Sequence, residues 1–89
     1  MISKKIKVLN KTGIHARPAS QLVKTASSFA ADITIKKGDK KVNAKSILGV
    51  MGLAMAYNDE IELIIEGTEA ELASDKIKAL FDEKFGEAE

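Results

Sequence analysis

The sequence predicts an α+β fold, a four-stranded antiparallel sheet in the order 1-4-2-3 with three helices over one face, the elements following as βαββαβα. Three observations predict it. Four extended segments each carry one apolar side, and the segments between and after them space or cluster apolar residues as helices do. The first helix lies between the first two strands, a crossover that in a split βαβ unit leaves a gap which a later strand fills antiparallel. One apolar face per strand puts the helices on one side and water on the other.

Over residues 2–9, Ile2, Ile6 and Val8 fall on one side of an extended segment and Ser3, Lys5 and Lys7 on the other. "NKTG" is a turn cluster. Ala19, Leu22, Val23 and Ala26 then keep the i, i+3, i+4, i+7 spacing of a helix that runs to about Ser27. "DITIKKGDKKVNA" reads as two short strands around Gly38-Asp39, a pair suited to a tight hairpin turn. "SILGVMGL" supplies the second helix; it is short and apolar, and Gly49 and Gly52 each weaken it by roughly 1 kcal/mol. In "EIELIIEG", Ile61, Leu63 and Ile65 alternate with Glu60, Glu62 and Glu66, the pattern of a strand. The last helix opens with Thr68 and Glu71 spaced as a capping box, carries Ala73, Ile77, Leu80 and Phe81 as its apolar stripe, and meets Gly86 as a C-terminal cap.

Eighty-nine residues make one small domain, residues 1–89. Apolar residues at 45% and charged residues at 30% are the balance of a globular chain rather than a disordered one. Fourteen basic against 13 acidic residues argue against a general nucleic-acid binder, which would show a basic excess. The absence of cysteine excludes disulfides, thiol chemistry and cysteine-ligated zinc, and a single histidine builds no metal site unaided. "MISKKIKVLN" lacks the apolar run of a signal peptide and no segment is long enough to span a bilayer, so a cytoplasmic location is expected.

The chain's one histidine, one arginine and one proline stand together in "TGIHARPAS". With the first helix beginning just after the turn, His15 is its N-cap and Pro18 lies in its first turn, where the missing N–H costs nothing. Gly13 permits a sharp entry. The first-turn N–H groups of Ala16 and Arg17 point out of the helix, and the helix dipole adds about half a positive charge there, an end that binds anions. The same field disfavours imidazolium and keeps a ring at that position neutral and nucleophilic. Arg17 adds a guanidinium that pairs bidentately with phosphate oxygens. Nucleophile, anion hole and cation together suit a residue that accepts and gives up a phosphoryl group, held through Nδ1, the ring nitrogen nearer the main chain. On spacing alone the ring serves equally well as a capping histidine with no chemistry.

"GIHARPAS" resembles the active-site motif of the HPr family, the histidine-containing phosphocarriers of the bacterial phosphoenolpyruvate:sugar phosphotransferase system. The likeness covers essentially the whole chain in length, element order and a second motif, "KSILGVMGL". It implies an open-faced β-sandwich, a protein that is the substrate of other enzymes and not an enzyme itself, and no cofactor. It further implies phosphorylation of His15 at Nδ1 by enzyme I, transfer to sugar-specific IIA proteins, and Arg17 as the active-site arginine. The family's regulatory members without the active-site histidine supply the alternative, a protein that signals mainly through a phosphoserine in carbon catabolite control.

Ser46 precedes the apolar run in the position of an N-cap, which is a complete role in itself. The resemblance adds regulatory phosphorylation there by an HPr kinase/phosphorylase, read by a catabolite control regulator. A phosphoserine brings about −1.5 to −2 charge to a helix end whose dipole tolerates it. Ile47, Leu48 and Met51 sit on a helix too short to bury them all, and the resemblance makes them, with Ser20, Lys24 and Ser27 of the first helix, the docking surface for partners of a monomeric protein. The lysines of "KKIK" and "KKGDKK" read as solvated strand faces, and Phe29, Tyr57, Phe81 and Phe85 are too few for an RNA-stacking sheet. "LAMAYNDE" departs from many relatives, with Ala54 in place of a glycine and Asn58-Asp59 in a turn often made with one.

Overall fold

The computed structural model describes residues 1–87. The elements are β1 (Ile2–Lys7), α1 (Ala16–Ser27), β2 (Asp32–Lys37), β3 (Lys40–Asn43), α2 (Ile47–Gly52), β4 (Glu60–Glu66) and α3 (Ala70–Asp82), followed by a 3₁₀ turn at Lys84–Gly86. The sheet has the order β1-β4-β2-β3 with all neighbours antiparallel, as the split crossover predicts. Register follows the apolar pattern: Ile6 faces Ile61, Ile33 faces Ile65 and Ile35 faces Leu63, and all of these are buried. A one-residue slip would turn this face to water, so the register is strongly fixed.

Leu22 and Ala26 of α1, Val50 of α2, and Ala73, Ile77 and Phe81 of α3 close over that face, each without solvent exposure. Each fully buried aliphatic side chain contributes roughly 1.5–3 kcal/mol. Leu80, read as part of the α3 stripe, is only half-buried. On the outer face, Lys5 and Lys36 both stand opposite Glu62, and Lys7 stands opposite Glu60, so unlike charges oppose across the strands. Val8 lies just past β1 yet continues its bonding, donating to Asp59 O at 2.9 Å and accepting from Asn58 N at 2.9 Å.

Three local readings need correction. The capping box does not form: α3 begins at Ala70, and its N-cap is Glu69, in left-handed conformation (φ 62°) with no side-chain cap bond. The chain leaves β4 through a turn that places Glu69 O, rather than a Thr68 hydroxyl, at the helix start, where it accepts from Ala73 N at 2.9 Å. Nor does Gly86 cap α3, which ends at Asp82; Gly86 instead closes a left-handed turn in which Lys84 (φ 55°) and Phe85 (φ 54°) share the conformation. Burial of Phe85 against Phe81, edge to face with centroids 5.0 Å apart, offsets that strain.

The lysines are not all solvated. Lys4 stands opposite Leu63 on the inner face, lays its stem along the core and reaches Asp75 of α3 at 3.4 Å. Lys37 donates to Leu53 O at 3.2 Å and Ala54 O at 2.7 Å and pairs with Asp59 at 2.8 Å. It clamps the loop between α2 and β4, which holds Ala54 in a left-handed conformation (φ 52°) despite its side chain.

Candidate functional site

Two loops meet at the N-terminus of α1. Gly13 takes φ +72°, and a Cβ there would lie 2.7 Å from Met55 O and 3.2 Å from Ala56 Cα. Only glycine lets the chain pass so close to the loop that Lys37 clamps. The next residue locks the contact, with Ile14 N donating to Met55 O at 2.8 Å. His15 follows as the N-cap of α1 in extended conformation (φ −83°, ψ −165°), its carbonyl accepting from Ala19 N at 3.0 Å.

The His15 side chain makes no cap bond, so the ring is not spent satisfying the helix. This removes the capping role that spacing alone left open. Ala16 and Arg17 are the first two helical residues, whose N–H groups have no intrahelical acceptor, and Pro18 is the third. Their first turn carries no acidic residue to neutralise the dipole. His15, Ala16 and Arg17 are all solvent-exposed while Pro18 and Ala19 are buried, so the helix end faces water on a fixed base.

The site contains two residues that the sequence did not point to. His15 Nε2 lies 2.9 Å from Glu87 Oε2, and Glu87 Oε1 accepts from Asn10 Nδ2 at 2.7 Å. Asn10, fully buried, also donates to Lys84 O at 2.9 Å, and its own carbonyl accepts from Gly13 N at 2.9 Å. Asn10 thereby ties the histidine loop to the turn after α3. The Glu87 carboxyl is held below the usual carboxylate range, first by the Asn10 hydrogen bond, with burial opposing, and then by the hydrogen bond to His15 and the charges of His15 and Arg17. An ionised carboxylate only accepts, so Nε2 carries a proton toward Glu87, and in the neutral ring Nδ1 is then the nitrogen with the free lone pair. No described residue hydrogen-bonds to Nδ1. Asn10 reads in the sequence as one residue of a turn and Glu87 as a tail beyond a cap; only the fold joins them.

Ser46 is the N-cap of α2, its Oγ accepting from Gly49 N at 3.1 Å. Beyond it Leu48 is 84% exposed, and Ile47 and Met51 about half that, while Val50 points into the core. α2 packs against α1, whose Ser20, Lys24 and Ser27 are exposed. Tyr57, also exposed, was not among the expected surface residues. Among the described residues no helix is long and apolar enough to cross a membrane.

Comparison with known proteins gives this geometry its context. Residues 2–83 match the family model described as PTS HPr component phosphorylation site. The phosphocarrier protein HPr of Treponema pallidum is 44% identical over 98% of this chain and 99% of its own. The HPr-like protein Crh of Bacillus subtilis is 42% identical over 94% of this chain and 99% of its own. The crystal structure of HPr-C-His from Thermoanaerobacter tengcongensis superposes with a TM-score of 0.96 at 44% identity, covering 100% of both chains. A second structure from that organism, described as an HPr dimer, gives 0.79 at 45% identity over 98% of this chain and 100% of that one. With a family match over nearly all of the described residues and relatives at this identity end to end, the chain belongs to the HPr family, the phosphocarriers of the phosphotransferase system.

Proposed function

We propose that His15 is the residue that carries the phosphoryl group, taking it from enzyme I charged by phosphoenolpyruvate and giving it to sugar-specific IIA proteins. The observation that carries this reading is the state of the ring: Nε2 is occupied by Glu87, and no described residue engages Nδ1, at a helix N-terminus that has no side-chain cap bond. The Nδ1 lone pair attacks phosphorus as the bond to the donor breaks, and reversal hands the group on. The N–H groups of Ala16 and Arg17 and the Arg17 guanidinium meet the phosphoryl oxygens, the positioning and charge stabilisation that such transfers require. The protein is in this reading a substrate of other enzymes, with no turnover of its own, working in the cytoplasm as a single domain over residues 1–89.

Ser46 is proposed as the regulatory site. Phosphorylation there leaves a charge tolerated by α2 but set beside Ile47, Leu48 and Met51, the surface proposed, with Ser20, Lys24 and Ser27, to dock partners. An HPr kinase/phosphorylase would write the mark and a catabolite control regulator would read it. The similarity to Crh favours, as a second reading, a protein acting mainly through that serine; an intact His15 site argues for the carrier. The working form is proposed to be a monomer, and sedimentation decides between that and a dimer such as the one described for the Thermoanaerobacter protein.

The test is incubation with enzyme I and phosphoenolpyruvate, followed by mapping of the acid-labile phosphate. Label on His15, absent from a His15→Ala protein, is expected. Full labelling of His15→Ala overturns the assignment.

A further inference from the structure

We infer that Glu87, held by Asn10, is a positioning residue that sets the tautomer of His15 and so directs phosphorylation to Nδ1. The inference rests on the reading of His15 as the phosphoryl acceptor. An imidazole has two nitrogens of similar basicity, and a ring exposed at a helix end has no intrinsic reason to present one of them alone. Here the choice is made by a chain of hydrogen bonds that runs in one direction only.

Asn10 starts the chain. Its amide is fully buried, and both groups it meets, Lys84 O and Glu87 Oε1, are acceptors. The NH₂ end must therefore face them, which agrees with Asn10 Oδ1 having no partner among the described residues. One Glu87 oxygen is thus committed to Asn10, and the other, 2.9 Å from Nε2, requires the proton to sit on Nε2. As Nδ1 attacks phosphorus, positive charge develops across the ring, and the Nε2 proton stays hydrogen-bonded to the carboxylate throughout. No proton is gained or lost by the ring; the N–P bond forms as the donor's bond to phosphorus breaks. The same carboxylate shields Nε2 from reacting itself.

The direction of the chain gives a sharp test. In Glu87→Gln, Asn10 still demands an acceptor, so the glutamine oxygen faces Asn10 and its NH₂ faces Nε2. That nitrogen must then accept, and the ring proton moves to Nδ1. An isosteric change should therefore invert the tautomer, where Glu87→Ala merely relaxes it.

Ring ¹⁵N chemical shifts of the neutral His15 read the tautomer directly. Wild type is expected to show a protonated Nε2 and a bare Nδ1, Glu87→Gln the reverse, and the double variant Asn10→Ala/Glu87→Gln a return toward wild type, since the glutamine can then turn over. Phosphorylation with potassium phosphoramidate, which needs no partner protein, reads the consequence. Wild type should give the Nδ1 isomer, and Glu87→Ala should raise the ratio of Nε2 to Nδ1 product by about tenfold, the scale of a lost charge-assisted hydrogen bond. A Glu87→Gln protein with the wild-type tautomer, or a Glu87→Ala protein with the wild-type isomer ratio, overturns the inference. Either result beside normal labelling by enzyme I leaves the carrier assignment standing. The expected shifts beside failed labelling would sink the carrier assignment alone.

Discussion

Replacing Gly13 by alanine should destabilise the protein by about 3–6 kcal/mol, because the new methyl group has no room and the backbone no freedom. A left-handed φ of +72° costs a residue with a side chain about 1–2 kcal/mol. The Cβ would sit 2.7 Å from Met55 O, a backbone atom that cannot swing aside as a side chain would, and such overpacking costs about 1–3 kcal/mol. Relief by separating the loops breaks the bond from Ile14 N to Met55 O, worth about 1 kcal/mol. Urea unfolding followed by circular dichroism measures the sum; with a slope of roughly 1 kcal/mol/M for a chain this small, the midpoint should fall by about 3–6 M. Gly38→Ala is the control. Gly38 has a similar φ of +60° with nothing within 4 Å of a Cβ, so it should show only the conformational part, roughly 1–2 kcal/mol. If the two variants lose the same stability within about 0.5 kcal/mol, the close approach of the two loops is not what Gly13 serves.

Arg17→Lys should retain the fold and lose part of its transfer rate, since lysine keeps the charge without the bidentate fork; unchanged steady-state transfer to a IIA protein in Arg17→Ala would show that Arg17 has no part in it. Ser46→Ala should cost about 1 kcal/mol through loss of the bond from Gly49 N while carrying phosphate almost like wild type. Ser46→Asp should keep the melting temperature but weaken binding to enzyme I, and equal apparent affinities for wild type and both variants would leave Ser46 only a cap. The Asp59 carboxyl is held below its ordinary 3.8, first by the Lys37 hydrogen bond and then by that from Ala56 N. A depressed folded value means stability that is present above about pH 4 and lost as pH falls through the folded value. Asp59→Asn should therefore flatten part of the acid limb in urea unfolding between pH 5 and pH 2, and an unchanged limb would contradict the Lys37 clamp.

Much of this was legible because it depends on neighbours in sequence. The alternation of Ile61, Leu63 and Ile65, the hairpin at Gly38-Asp39 and the caps at His15 and Ser46 each follow from a few consecutive residues. What was illegible depends on distance. Lys37 looks like any lysine of a charged hairpin until the fold brings Leu53 O and Ala54 O, 16 and 17 residues away, to its ammonium. Glu87 and Asn10 carry no signal at all, since their partners lie 72 and 77 residues off and are met only when α3 has turned back. The failed capping box shows the converse: Thr68 and Glu71 have the right spacing, but the exit from β4 decided where α3 could start.

The sheet order also fixes when the site can come into being. β1 and β2 do not pair with each other; each pairs with β4, the last of the four strands to be made, and Ile2 must find Ile65 across most of the chain. The β2–β3 hairpin is local and closes in microseconds, whereas closing the long loops that seat β4 comes later and dominates the folding barrier. During synthesis a chain that has not yet extruded residue 66 holds two strand edges with no neighbour, the surfaces from which aggregation starts. The loop that receives Gly13 lies between α2 and β4, and Glu87 lies beyond α3, so nothing fixes the histidine until those pieces have docked. Uptake of phosphate on His15 from enzyme I should then lag behind the seating of β4, and a nascent chain stopped before residue 60 should take it up more slowly than the finished one.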